Sequence, residues 1–195
     1  MINDISELFG RQMPMLMLGE TLNHHPGVKT RAAIQTDHGI VCCRCGSRLK
    51  RRLAALPNNQ YYCYVCIQMG RMDTLQQLAF APEPNRFPHV NQPLTWQGKL
   101  TKLQAECAQT VIDVFKNRRR HLLWAVTGAG KTEMLFKGIN WAIENGLRVG
   151  IASPRVDVCI ELFPRIQAAF EKVSCVLLHG KSEQPYVYSQ ITVCT

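Results

Sequence analysis

Residues Ala125-Val-Thr-Gly-Ala-Gly-Lys-Thr132 have the types and order needed to hold the phosphates of a nucleotide. Gly128 and Gly130 leave no Cβ in the way of a phosphate approaching the main chain. The N–H groups of Thr127, Gly128, Ala129 and Gly130, with the start of a following helix, favour an anion. Lys131 then reaches the β- and γ-phosphates, and the Thr132 hydroxyl ligates Mg²⁺. The predicted ligand is ATP with Mg²⁺, with Lys131 and Thr132 closest to the chemistry. One position departs from the strict pattern G-x-x-x-x-G-K-[ST], which has glycine where this chain has Ala125.

Cys42, Cys45, Cys63 and Cys66 form a second group, spaced C-x₂-C-x₁₇-C-x₂-C. That spacing is expected of a four-thiolate Zn²⁺ site, in which two knuckles each offer two sulfurs. Four thiolates leave no open coordination position, so the zinc is read as structural. Cys43 is spare, and its spacing to Cys45 is wrong for a knuckle. Cys107, Cys159, Cys175 and Cys194 are scattered along apolar stretches and are read as core residues. An odd total of nine cysteines, four of them in metal-ligand spacing, fits a reducing compartment better than a disulfide framework. No signal peptide and no run of membrane-spanning length is apparent, so the expected location is cytoplasmic.

The formal net charge of +9 suits a polyanionic partner. The simpler alternative is that these charges only keep the chain soluble. Two clusters sharpen the first reading: Arg48-Leu-Lys-Arg-Arg52 and Lys116-Asn-Arg-Arg-Arg120. The former lies between the two cysteine knuckles, and Tyr61, Tyr62 and Tyr64 flank the second knuckle. Positive charge beside aromatic faces suits single-stranded DNA, where bases stack and phosphates pair. Equally, the tyrosines could pack the ribbon while the charges are solvated.

The elements that must position these groups can be read from periodicity. Residues 1–38 show little and are expected to be a loosely ordered extension. The zinc-binding module is placed at 39–70. A Pro-rich connector is placed at 71–97, because Pro82, Pro84, Pro88 and Pro93 argue against a regular element. From 98 to 195 the pattern alternates. A helix starts at Thr101-Lys-Leu-Gln104 with Leu103, Cys107, Val111 and Phe115 on one stripe. The run His121–Val126 reads as a buried strand leading into the phosphate loop, and Lys131 opens a helix with Leu135, Ile139, Ala142 and Ile143 on one face, closed by Gly146. Arg148–Ala152 reads as a strand. A helix from about Arg155 carries Cys159, Phe163, Ile166 and Phe170, with a kink expected at Pro164. Cys175–Leu178 and Ile191–Cys194 read as further strands. Such alternation predicts an α/β fold with a parallel, doubly wound sheet and ATP at the carboxyl ends of its strands.

The Ala125 form of the loop is familiar in superfamily 2 helicases, which place a Gln upstream to read adenine. Gln104 stands at a suitable distance for that role, although Thr101-x-x-Gln104 is also a helix capping box. More specifically, the chain resembles the ComFA family, the helicase-like ATPase of bacterial natural competence. The resemblance rests on the double C-x-x-C with Tyr61-Tyr-Cys-Tyr-Val-Cys66, on Leu94-Thr-Trp-Gln-Gly-Lys-Leu-Thr-Lys-Leu-Gln104, on Trp124-Ala-Val-Thr-Gly-Ala-Gly-Lys-Thr-Glu-Met134 and on Ile151-Ala-Ser-Pro-Arg-Val-Asp-Val158. It covers roughly residues 40–195. It implies a zinc ribbon followed by a RecA-like domain that couples ATP hydrolysis to movement of incoming single-stranded DNA. It also implies competence proteins as partners, including a membrane DNA channel, and a peripheral place at the cytoplasmic face of the membrane. Oligomeric state is left open. Residue by residue, Gln104 is implied to contact adenine, and Ser153 and Arg155 to contact the DNA backbone.

Hydrolysis needs a carboxylate pair at a strand end. None of Glu133, Glu144, Asp157, Glu161, Glu171 and Glu183 supplies an Asp-Glu pair there. The RecA-like domain is therefore expected to be incomplete, and the 195-residue chain alone to hydrolyse ATP poorly or not at all. Two alternatives stay open: a zinc-ribbon DNA-binding or adaptor fragment without ATPase activity, and a different superfamily 2 DNA helicase acting in repair or replication restart.

Overall fold

The computed structural model describes residues 1–180 and 186–195. The chain divides into two compact units, Met1–Pro84 and Asn85–Thr195. Among the described residues no helix is long and apolar enough to cross a membrane.

The N-terminal unit is built from short strands. β1 (Met13–Pro14), β7 (Gln77–Phe80) and β2 (Lys29–Ala32) form an antiparallel sheet in the order β1-β7-β2. β3 (Ile34–Gln35) pairs with β4 (Val41–Cys42), and β5 (Ala55–Leu56) with β6 (Gln60–Tyr61), both antiparallel. Two one-turn helices, α1 (Glu20–Asn23) and α2 (Arg51–Ala54), lie between them. Contrary to the expected loose extension over 1–38, this stretch folds into the unit. Ile2, Leu8, Leu18 and Leu22 bury against Ala79 and Ala81. Burying a leucine side chain contributes roughly 1.5–3 kcal/mol, enough to fix a segment that has little regular structure. Two-residue strands and single helical turns leave no period to read, which is why the sequence looked unstructured there. The expected connector is also shorter than 71–97, because β7 belongs to the N-terminal unit.

The C-terminal unit alternates helix and strand: α3 (Lys102–Lys116), α4 (Lys131–Glu144), β8 (Val149–Ala152), α5 (Val156–Ala169), β9 (Cys175–Leu178) and β10 (Ile191–Cys194). The sheet has the order β8-β10-β9 and is parallel throughout, with Val193 opposite both Ile151 and Leu177. β10 thus lies between two strands that precede it, and its parallel pairing with both requires crossover connections. Phe136, Ile139, Ile166, Phe170, Ile191 and Val193 form its core, with Phe136 edge-on to Phe170 at 5.8 Å between ring centroids.

α3 starts where the capping box predicts, with Thr101 Oγ1 accepting from the Gln104 amide and Gln104 Oε1 accepting from the Thr101 amide. α3 packs closely on α4 at Gly138, where a Cβ would stand 2.5 Å from Val111 Cγ1. The expected α3 stripe is only partly correct: Val111 is buried, but Leu103 and Phe115 are exposed. Part of the proline-rich segment straps onto this unit. The Leu94 amide donates to Asn140 Oδ1, the Thr95 amide donates to the Ala169 carbonyl, and Trp96 meets Phe136 edge-on at 5.5 Å.

One predicted strand is not formed. Residues 121–126 enter no ladder among the described residues, and Leu122, Trp124 and Val126 are 77%, 88% and 76% exposed. The apolar run has strand composition, but a strand needs a partner to satisfy its backbone groups. Without one, every second side chain faces outward.

Candidate functional site

Two candidate sites lie one in each unit. In the C-terminal unit, Gly128 has φ +80° and Gly130 φ +74°, the latter at the N-cap of α4. Both conformations favour glycine. They curl Thr127–Gly130 at the N-terminus of α4, where main-chain N–H groups and the helix dipole favour an anion, although the Ala129 N–H now donates to the Val126 carbonyl at 3.3 Å. The Lys131 ammonium is folded back on the start of the loop, donating to the Ala125 carbonyl at 3.0 Å and the Val126 carbonyl at 2.7 Å. Thr132 is half-buried in the first turn of the helix.

Gln104 joins this arrangement through Nε2, which donates to the Ala129 carbonyl at 2.9 Å while Oε1 remains in the capping box. The structure brings Gln104 and the loop together and uses both ends of the side-chain amide. Sequence reading missed an ion pair beside the loop, between Glu133 and Arg165 of α5. Their wide separation in sequence gave no signal for it. Ser153 and Arg155 lie at the start of α5. Ser153 Oγ accepts from the Arg155 amide at 3.3 Å, and the exposed Arg155 guanidinium is paired with Asp157. The guanidinium beside it holds the Asp157 carboxyl below the usual carboxylate range. Of the acidic residues weighed for a carboxylate pair, Glu183 lies outside the described residues.

In the N-terminal unit the four predicted ligands converge. The Sγ atoms of Cys42, Cys45, Cys63 and Cys66 all lie within 4.8 Å of one another. Sulfurs at 2.3 Å from a tetrahedral ion stand about 3.8 Å apart. Cys42–Cys66 is 3.8 Å, Cys45–Cys63 3.7 Å and Cys63–Cys66 3.4 Å, so the donor set fits one zinc-sized ion. Gly46, with φ +74°, supplies the tight turn after the first knuckle. Burial pushes the Cys42 thiol up to about 12. Burial also raises Cys66, against a lowering by its hydrogen bond from Arg44. At Cys45 burial is outweighed by the hydrogen bonds from Ser47 and the neighbouring thiols, which bring it down to about 6. Of the other cysteines, Cys159 is buried, whereas Cys43, Cys107, Cys175 and Cys194 are only partly so.

Arg44 is the residue that sequence reasoning missed. Its Nη2 donates to Cys66 Sγ at 3.1 Å and to the Cys66 carbonyl at 2.7 Å, and Nη1 donates to the Met69 carbonyl at 2.8 Å. A charged fork on the first knuckle thereby grips the second. An arginine between two cysteines of a knuckle was the available signal.

Residues 7–80 match the family described as the competence protein ComFA N-terminal domain, and residues 97–195 match that of the type III restriction enzyme, res subunit. The chain belongs to the ComFA family. It is 40% identical over 157 residues to competence protein ComFA of Bacillus subtilis (strain 168), an alignment covering 79% of this chain and 34% of that protein. It is 39% identical over 166 residues to competence protein ComFA of Streptococcus pneumoniae (strain ATCC BAA-255 / R6), covering 84% and 37%. The chain thus spans about a third of the length of these curated ComFA relatives. The ComFA-type unit carries the four-cysteine cluster, and the res-subunit match carries the phosphate loop and the parallel sheet.

Proposed function

We propose that this chain is the ATP- and DNA-gripping portion of a motor that moves single-stranded DNA during uptake in natural transformation. The observation that carries the proposal is the loop at residues 127–132, with two glycines at positive φ, a helix N-terminus behind them and a lysine tethered to loop carbonyls.

In this reading ATP with Mg²⁺ sits on the amides of Thr127–Gly130. Lys131 leaves the Ala125 and Val126 carbonyls for the β- and γ-phosphates, and Thr132 faces Mg²⁺. Gln104 contacts adenine after giving up one of its present hydrogen bonds. Ser153 and Arg155 touch the DNA backbone, and a phosphate displaces Asp157 from Arg155 at little cost because the pair is exposed. Zn²⁺ held by Cys42, Cys45, Cys63 and Cys66 organises the N-terminal unit. Competence proteins, including a membrane DNA channel, are the partners, and the motor works at the cytoplasmic face of the membrane. The chain alone turns over ATP poorly, since no carboxylate pair stands at a strand end among the described residues.

The direct test is nucleotide-dependent thermal stabilisation. Ligand at a hundred times its Kd adds about 2.7 kcal/mol, a rise of roughly 10 °C for a unit of this size. ATP with Mg²⁺ should raise Tm in the chain and leave Lys131→Ala unmoved. No shift in the unmodified chain refutes the nucleotide role.

A further inference from the structure

We infer that the concave face beside the metal centre is a single-stranded DNA subsite, in which Arg51 offers its guanidinium plane to a base. The inference deepens the motor reading above and rests on it. The groove has a volume of about 750 Å³, room for one to two nucleotides by the usual scale of ligand sites. Its floor is apolar, from Ile34, Ile40 and Leu49, and its walls are polar, from Arg51, Asn59 and Thr74.

The arginine is held in place. Its guanidinium lies over the Tyr61 ring at 5.7 Å from the centroid, and Nη2 donates to Asn59 Oδ1 at 3.2 Å. The same oxygen accepts from the Tyr61 hydroxyl at 2.8 Å. Asn58 and Asn59 occupy the left-handed region, at φ 59° and 55°, in the turn between β5 and β6. That turn delivers the Asn59 side chain to Arg51. Tyr61 is buried beneath the guanidinium, so the arginine plane, not the ring, is the surface available for stacking.

The charge also points to a polyanion. No carboxylate lines the groove among the described residues. Arg48, Lys50, Arg51 and Arg52 are all exposed, and none of them is in a salt bridge among the described residues. A run of cations beside an open groove follows a strand of phosphates, while a pre-set guanidinium plane accepts any base, a pairing that recognises single strands without sequence preference. The Gly39 backbone at the groove edge, φ +105° with nothing within 4 Å of a notional Cβ, allows close approach.

The test is anisotropy of a labelled oligothymidylate titrated with the whole 195-residue chain, across a salt series. Arg51→Ala should weaken binding by about tenfold, a stacking loss of ordinary size, and leave most of the salt slope in place, because the slope counts phosphate contacts. Arg51→Lys should keep the slope and still lose affinity, because an ammonium has no plane to stack. Arg51 is exposed, and unchanged zinc content of each variant confirms that the unit remains folded. If the unmodified chain binds and Arg51→Ala stays within twofold of it, the groove inference fails and the motor reading stands. If the unmodified chain does not bind at all, both fail.

Discussion

Gln104 donates to the Ala129 carbonyl at 2.9 Å while its Oε1 accepts from the Thr101 amide at 2.8 Å. One side chain therefore caps α3 and ties that cap to the phosphate loop. Thr101→Ala should cost about 1 kcal/mol of stability, as N-cap losses do, with little change in nucleotide affinity. Gln104→Ala should lose a similar amount and also weaken ATP binding. Chemical denaturation and nucleotide titration on both variants separate the two effects, and equal affinities would show that the tie to Ala129 is idle.

Gly130→Ala is expected to abolish nucleotide binding. The added Cβ would stand 2.7 Å from Gln104 Nε2, at a φ of +74° that alanine rarely adopts. A Tm rise with ATP in this variant equal to that of the unmodified chain would contradict the loop geometry.

Arg44→Ala should speed zinc extraction by a chelator. Losing an outer-shell partner of a metal ligand typically lowers affinity 10- to 100-fold, and Arg44 bonds both Cys66 Sγ and the carbonyls behind it. Colorimetric zinc release is the measurement. An extraction rate like that of the unmodified chain would mean that the four sulfurs alone set retention.

Zinc uptake should release protons in a pH-dependent number. Cys42, at about 12, and Cys66, also raised, hold their protons at neutral pH and must give them up to the ion. Cys45, at about 6, is already a thiolate above that value and gives up nothing. Below about 6 it is protonated and adds one to the count. Calorimetry in buffers of different ionisation enthalpy should therefore find about one more proton released at pH 5 than at pH 7, and affinity should fall as pH falls. A count that does not change would contradict the depressed Cys45 value.

Sequence period showed α4, α5 and the three strands of the C-terminal unit, because apolar residues there repeat at 3.6 or cluster in short runs. Spacing alone located the four cysteines, since knuckle geometry constrains neighbours. The groups that act across distance were not legible. Arg165 meets Glu133, and Arg51 settles over Tyr61, only once helices and hairpins pack. The strand expected at 121–126 failed for the same reason, because composition favours a strand but pairing requires a neighbour. The N-terminal residues were misjudged because their elements are shorter than any period.

Trp124 stands three residues before Thr127 and is 88% exposed, whereas Trp96 and Trp141 are partly covered. With only three indoles in the chain, the red edge of its emission belongs largely to Trp124. Anything that settles on the approach to the phosphate loop would shift that light to the blue and shield it from acrylamide. The protein carries its own optical probe at the position where an observer of nucleotide binding would want one, with no label attached.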